Sequence, residues 1–144
     1  MSEVLIVIGL IAVATIFGSM VFFSCVVAPL VFIKLDGPTA GNFIRNIFPW
    51  YYLLIGGFSL IAAVVFPFHQ PFEGLMMAAV FFGAFISRQV LMPRLNTHRD
   101  EDLQGSSEAK RKFTLLHRCS VLINAVQILI CLIVLIRLSI TWFW

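Results

Sequence analysis

The segment FTLLHRCSVLINAVQILICLIVLIRLSI, residues 113–140, carries only two basic residues, Arg118 and Arg137, one near each end. The 18 residues between them, 119–136, have no charged side chain. A helix of 28 residues is about 42 Å long at ~1.5 Å per residue, more than the ~30 Å of a bilayer's hydrocarbon core. The segment therefore predicts a membrane-spanning helix.

Three further apolar segments predict three more spans. The chain has 144 residues, of which 60% are hydrophobic and 12% are charged, whereas soluble domains are roughly 45–50% apolar and about 25% charged. A small soluble domain could not bury that much apolar surface. We therefore expect an all-α integral membrane four-helix bundle that forms one domain. Its predicted spans are residues 4–32, 49–68, 72–92 and 113–140, joined on one side by loops 33–48 and 93–112.

Prolines and turn residues supply the predicted boundaries of these spans. Asp36-Gly37-Pro38 is a turn signal, and the residues after it predict a short amphipathic interfacial helix that ends at Phe48. Pro49 is predicted to open the second span, since proline is favoured in a first helical turn. Pro93 is predicted to end the third span. Trp142 and Trp144 are predicted to anchor the end of the fourth span at an interface.

The basic residues predict the orientation of the bundle. Nine of the ten lie on the side of the two long loops or at its edge, and only Arg137 lies on the other side. The nine are Lys34, Arg45, Arg88, Arg94, Arg99, Lys110, Arg111, Lys112 and Arg118. Basic loops stay in the cytoplasm, so both termini are expected outside. The expected location is the bacterial cytoplasmic (inner) membrane.

The fourth span carries a narrow polar stripe. His117, Ser120, Asn124, Gln127 and Cys131 recur every three or four residues and fall within about 80° of a helix. Such side chains either hydrogen-bond to other helices or form a functional site within the membrane.

We expect this stripe to face the bundle interior. Its expected neighbours are Tyr51, Tyr52 and Ser24, because lipid offers no hydrogen-bonding partners. The candidate polar pocket, facing the cytoplasm, comprises His117, Ser120, Asn124, Gln127, Arg88 and Tyr51. Arg88 could alternatively extend to the headgroups.

Small residues predict close helix contacts. Ala79, Gly83 and Ser87 recur every four residues on the third span, as Ala14 and Gly18 do on the first. Such spacing lets two membrane helices approach closely. We expect these five residues to pack between helices of the bundle.

Metal, cofactor and nucleic-acid sites are not predicted. The three histidines, His69, His98 and His117, are divided between the two sides, and no Cys/His spacing typical of a metal site is present. A haem held by His117 and a methionine such as Met92 is an alternative. The basic residues flank apolar segments, so their pattern indicates membrane topology rather than nucleic-acid binding.

Three motifs resemble one family of membrane proteins. AGNFIRNIFPWYY (residues 40–52) resembles the segment before the second span of transmembrane protein 205-like proteins. MPRLNTHRD (residues 92–100) and FTLLHRCSVLIN (residues 113–124) resemble its bacterial branch, domain of unknown function 4149. The resemblance implies a four-helix membrane fold without an established molecular activity. Within the third motif, His117, Ser120 and Asn124 match the family's His…Ser…Asn pattern.

These observations predict a function of one of three classes. The leading hypothesis is a non-enzymatic helical bundle, a homo-oligomer or an accessory subunit of a larger membrane complex, with a cytoplasm-facing polar pocket. The first alternative is a small-solute or ion transporter that uses the fourth-helix stripe. The second is a haem- or porphyrin-binding membrane redox protein. The architecture resembles four-helix protoporphyrinogen oxidases, but the histidine that these carry early in the chain is absent from the first span.

Overall fold

Four long helical segments form an antiparallel bundle in the computed structural model, which describes residues 2–143 and the side chains of residues 3–140. Trp142 and Trp144, the predicted anchors, lie outside the residues described at side-chain level. All four segments, Glu3–Lys34, Gly37–Phe68, Pro71–Leu103 and Ser107–Ile140, are long and apolar enough to cross a membrane. No strand occurs in residues 2–143. The predicted all-α fold with four membrane spans is confirmed.

The helical segments extend beyond the predicted membrane spans. The first segment contains α1 (Ser2–Phe22), a π-helical turn (Phe23–Val27) and α2 (Ala28–Lys34). The second contains α3 (Gly37–Val65) and a 3-10 turn (Phe66–Phe68). The third contains α4 (Pro71–Ile86), a second π-helical turn (Ser87–Leu91) and α5 (Met92–Leu103), and the fourth is α6 (Ser107–Phe143).

Two helical segments continue through prolines at which span boundaries are predicted. Pro49 lies inside α3, so the expected separate interfacial helix is instead the first three turns of a 29-residue helix. Pro93 lies in the first turn of α5, which continues the third segment to Leu103. Most of the predicted loops 33–48 and 93–112 is consequently helical. Proline lacks a backbone N–H and commonly ends a helix, but Pro93 lies in a first helical turn, where proline is favoured.

The connections at the Lys34 end of the bundle are short. The backbone N–H of Thr39 donates to Asp36 Oδ2 at 3.1 Å, so Asp36 caps α3. The hydrogen bonds to Thr39 lower the pKa of the Asp36 carboxyl. Gly105, at φ 94°, makes the turn between α5 and α6. Ser106 then caps α6 by accepting from the N–H of Ala109 at 3.2 Å.

Each π-helical turn directly precedes an X-Pro pair. The N–H of Ala28 bonds to the carbonyl of Phe23 before Pro29, and the N–H of Met92 bonds to the carbonyl of Ser87 before Pro93. A π turn inserts one residue and locally widens the helix. The first and third segments therefore each contain one widened turn near the Lys34 end.

The five small residues of the two predicted stripes differ in where the structure places them. Ala14, Gly18 and Ala79 are exposed, and a Cβ atom at Gly18 would meet nothing within 4 Å. Gly83 does face α6, since a Cβ there would lie 2.8 Å from Gln127 Nε2, and Ser87 is buried. Close approaches also occur at other glycines, because a Cβ at Gly41 would overlap the Arg99 guanidinium, one at Gly9 would overlap the Phe66 ring and one at Gly74 would meet Pro67.

The predicted outward face of α6 is confirmed. Leu122, Leu129, Ile133 and Ile136 are exposed, as expected of side chains that face lipid. The core is formed instead by the inner faces of all four segments, with Val13, Ile16, Ile55, Met77, Val80 and Val134 fully buried.

An ion pair joins the third and fourth segments at the His69 end of the bundle. Arg137 Nε donates to Glu73 Oε1 at 2.8 Å, and the guanidinium lies 4.5 Å from the centroid of the Phe72 ring. The Glu73 side chain is only 2% exposed. This pair is not evident from sequence, because charges near the ends of apolar segments resemble ordinary flanking residues.

Candidate functional site

A cavity of about 540 Å³ opens between the helices at the Lys34 end. This volume is within the range of roughly 300–1,000 Å³ that small-molecule sites occupy. Residues of all four segments line it: the π turn and α2 of the first, the start of α3, α5, and the first half of α6. The cavity has three chemically distinct zones, which we call the floor, the aromatic wall and the rim.

The floor is a hydrogen-bond network around Asn124. Tyr51 OH donates to Asn124 Oδ1 at 2.7 Å, and Asn124 Nδ2 donates to Ser24 Oγ at 3.0 Å. Tyr52 OH and Ser120 Oγ are 3.2 Å apart one turn away. The network joins the first, second and fourth segments, and the predicted neighbours of the stripe are thereby confirmed.

The aromatic wall is formed by Phe23, Phe48, Tyr51 and Tyr52. The Phe23 and Tyr51 ring centroids are 4.7 Å apart, and Phe48 lies 5.4–5.7 Å from the other three rings. These distances are typical of favourable aromatic pairs. Both tyrosines are buried with their hydroxyl groups directed to the floor. The wall therefore offers ring faces to the apolar part of a ligand.

The rim carries the charged groups. Arg45 donates two hydrogen bonds to Asp100, at 2.9 and 3.0 Å, and links α3 to α5 across the cavity mouth. His117 stacks on Phe113 with ring planes 8° apart and centroids separated by 6.0 Å. Arg99 and Asp102 also line the cavity. The rim is therefore polar, while the wall behind it is apolar.

Four of the six predicted pocket residues line this cavity and two do not. His117, Ser120, Asn124 and Tyr51 are part of the lining. Gln127 lies beyond the floor, buried, and its Nε2 donates to the Val80 carbonyl at 2.9 Å. Arg88 Nε donates to the carbonyl of Pro49 at 3.3 Å. Both residues connect helices outside the cavity, and Arg88 neither enters it nor extends freely to an interface.

Sequence reasoning missed most of the rim. The segments that contain Arg45, Arg99 and Asp102 were predicted to be loops or an interfacial helix. The sequence pattern therefore did not indicate that these three residues lie close together. A signal was present in the pattern of α5, where Met92, Leu95, Arg99 and Asp102 recur every three or four residues. This periodicity indicates one face of a helix.

The residues could hold a cofactor only through a small set of side chains. His117 and Met92 both line the cavity, and these two types are known axial ligands of haem. Within the described residues, no group of three or more His, Cys, Asp or Glu side chains is arranged to hold a metal ion.

Comparison with known proteins gives one match. The model of a domain of unknown function, DUF4149, matches residues 11–104, about two thirds of the chain. The matched region includes most of the first segment and all of the second and third, and it ends before α6. No curated protein and no solved structure matches.

Proposed function

The chain belongs to the DUF4149 family of unknown function, and on that premise we propose that it is a non-enzymatic membrane protein that binds a small amphipathic molecule in the cavity at the Lys34 end. One observation carries the proposal. The cavity combines a hydrogen-bonding floor, an aromatic wall and a charged rim in about 540 Å³. Small-molecule sites typically have this composition, mostly apolar with a few convergent polar groups.

The depth of the cavity favours binding over passage across the membrane. Its lining ends at Tyr51 and Asn124, and beyond the floor lie the buried side chains of Ile16, Ile55 and Cys131. A transport route would need a second opening towards the His69 end. The closed floor therefore supports a binding or accessory role, with a small-solute transporter as the weaker alternative.

A haem or porphyrin ligand is a second candidate. The observation that favours it is the presence of His117 and Met92 in the lining of the same cavity. Bound haem would give the purified protein visible colour with a strong absorption band. A colourless preparation that retains another small molecule would exclude this candidate and leave the first.

The proposal places the protein in the bacterial cytoplasmic membrane, with the cavity facing the cytoplasm and both termini outside. It is supported by the nine basic residues on the Lys34 side of the chain. The relation to transmembrane protein 205-like proteins is part of the same proposal, carried by residues 40–52, 92–100 and 113–124. Association as a homo-oligomer or with a larger membrane complex is expected of an accessory subunit.

A matched pair of variants tests the binding function. Asn124→Leu removes the centre of the floor, and Gln127→Leu removes an amide one turn deeper that lies outside the cavity. Small molecules that co-purify with each protein are extracted and quantified by mass spectrometry. The proposal predicts that Asn124→Leu loses a molecule which the parent and Gln127→Leu retain. A parent protein that retains no molecule, or equal retention by both variants, would contradict it.

A further inference from the structure

The cavity opens sideways between the first and fourth helical segments. Among the described residues, α1 packs against α6, but no Cα atom of residues 23–34 lies within 8 Å of a Cα atom of α6. The separation starts at the π-helical turn Phe23–Val27, which precedes Pro29, and π turns and prolines are common causes of a change in helix direction.

The residues at this opening face outward. Phe32 on α2 is 63% exposed and Val121 on α6 is 55% exposed, and both line the cavity. In a protein that spans a membrane, large apolar side chains exposed on the side of the bundle face lipid. A molecule dissolved in the membrane could therefore reach the cavity without crossing the rim.

Arg99 is the cationic group of the rim that lacks an acidic partner. Its guanidinium lies against Gly41 of α3, where the space that a Cβ atom would need is already occupied. Arg45 is neutralised by Asp100, but within residues 3–140 no carboxylate oxygen lies within 4.0 Å of the nitrogens of Arg99. Arg99 is only partly exposed. A half-buried guanidinium beside a cavity is suited to an anion.

Guanidinium groups outnumber carboxylates in the cavity lining, and Asp100, which lies outside the lining, neutralises Arg45. The lining contains two guanidinium groups, Arg45 and Arg99, and one carboxylate, Asp102. His117 adds a further hydrogen-bonding group at the rim. Guanidinium groups match carboxylates and phosphates with two parallel hydrogen bonds.

Building on the binding function proposed above, we propose that the ligand is an amphiphile with an anionic headgroup, a carboxylate or a phosphate, that enters from the membrane between α2 and α6. Its headgroup binds Arg99 at the rim. Its apolar part lies along the aromatic wall, and a polar group on that part would meet the floor. The anion could belong to a single-chain fatty acid or to an anionic phospholipid, and both share the chemistry that Arg99 recognises.

Photo-crosslinking of the full chain tests the inference. The protein is reconstituted in nanodiscs of phosphatidylcholine with a fatty acid that carries a diazirine group. The inference predicts that labelled peptides come from residues 23–34 and 113–121, the two sides of the opening. Arg99→Gln should lower labelling about tenfold or more, as expected for the loss of a charge-assisted hydrogen bond. Arg94→Gln is the matched control, since Arg94 is exposed on the same helix and outside the cavity, and should leave labelling unchanged.

A second variant separates misfolding from a loss of recognition. Gly41→Ala keeps every charge but places a methyl group where the Arg99 guanidinium lies, so it should also lower labelling while Arg99→Lys retains part of it. Each variant is first required to melt within a few degrees of the parent. Equal labelling of the parent, Arg99→Gln and Gly41→Ala would overturn the inference.

Competitors identify the class of ligand. Oleate or phosphatidylglycerol should suppress the label, and the more effective of the two identifies the source of the anion. Oleyl alcohol has the same chain as oleate without its charge and should not compete. Equal competition by oleyl alcohol would contradict the proposal that the ligand has an anionic headgroup. The binding function itself would still stand if the co-purification experiment shows that the cavity binds a molecule.

Discussion

The hydroxyl group of Tyr51 donates a 2.7 Å hydrogen bond to Oδ1 of Asn124, a residue 73 positions later in the chain. Asn124 uses its amide nitrogen to reach Ser24 of the first segment at 3.0 Å. A single amide thus joins three helices at the floor of the cavity. Where water is scarce, such bonds both position the helices and leave no polar atom unsatisfied.

The first prediction concerns this network. Tyr51→Phe keeps the ring but leaves Asn124 Oδ1 without its donor, so the free energy of unfolding should fall by about 1–3 kcal/mol. Thr15→Val is the control, because the Thr15 hydroxyl is exposed and bonds only to the Ile11 carbonyl of its own helix. Thermal unfolding of both variants in one detergent provides the comparison. Equal melting temperatures for the two would indicate that the network does not stabilise the bundle.

The second prediction compares two glycines on the first helix. A Cβ atom at Gly9 would overlap the ring of Phe66, which is 1% exposed, whereas one at Gly18 would meet nothing within 4 Å. Gly9→Val should therefore lower the melting temperature clearly, since overpacking typically costs about 1–3 kcal/mol. Gly18→Val should remain close to the parent. The reverse order would show that Gly18, not Gly9, makes the close contact.

The third prediction compares two ion pairs. Arg137→Met leaves the Glu73 carboxylate buried without its guanidinium partner and should cost about 2 kcal/mol or more. Asp100→Asn breaks the pair with Arg45, whose side chains are 41% and 47% exposed, and should cost about 1 kcal/mol or less. Chemical unfolding in detergent measures both. An equal loss of stability would contradict the difference in burial.

The fourth prediction is the orientation of the bundle. Single cysteines at His69 and Gln104, in a protein without its native cysteines, mark the two ends. Because basic residues concentrate at the Gln104 end, the cysteine at position 69 should react with an impermeant thiol reagent in intact cells. The cysteine at position 104 should react only after the cells are opened. The opposite pattern would invert the proposed topology.

The polar floor could be predicted from sequence because a buried amide has few physical solutions within a membrane. Asn124 must find donors and acceptors on other helices, and Tyr51, Tyr52 and Ser24 lie at the same depth on theirs. Gln127 meets only half of the same requirement, because its Nε2 donates to the Val80 carbonyl outside the cavity while its buried Oε1 has no hydrogen-bond partner among the described residues. The depth of a polar side chain in the membrane was therefore predictable. Whether that side chain lines the cavity or bonds to a neighbouring helix was not.

The small-residue stripes and the helix ends were harder to predict. A small side chain permits close approach but does not require a neighbour, so Ala14 and Gly18 look equivalent to Gly83 in sequence and are exposed in the structure. Pro49 and Pro93 resemble stops, but the helices continue through them. The rim depended on that continuation, because only a helix across residues 92–103 brings Arg99 over Gly41.

A bulky side chain placed inside the cavity tests most directly whether a molecule occupies it. Ala28 lines the cavity, whereas Ala14 is exposed on the same segment and lies outside it. Ala28→Trp and Ala14→Trp are purified in parallel, checked for equal thermal stability, and extracted for mass spectrometry of retained small molecules. The account predicts that Ala28→Trp loses the molecule which the parent and Ala14→Trp retain. Undiminished retention by a folded Ala28→Trp protein would contradict it.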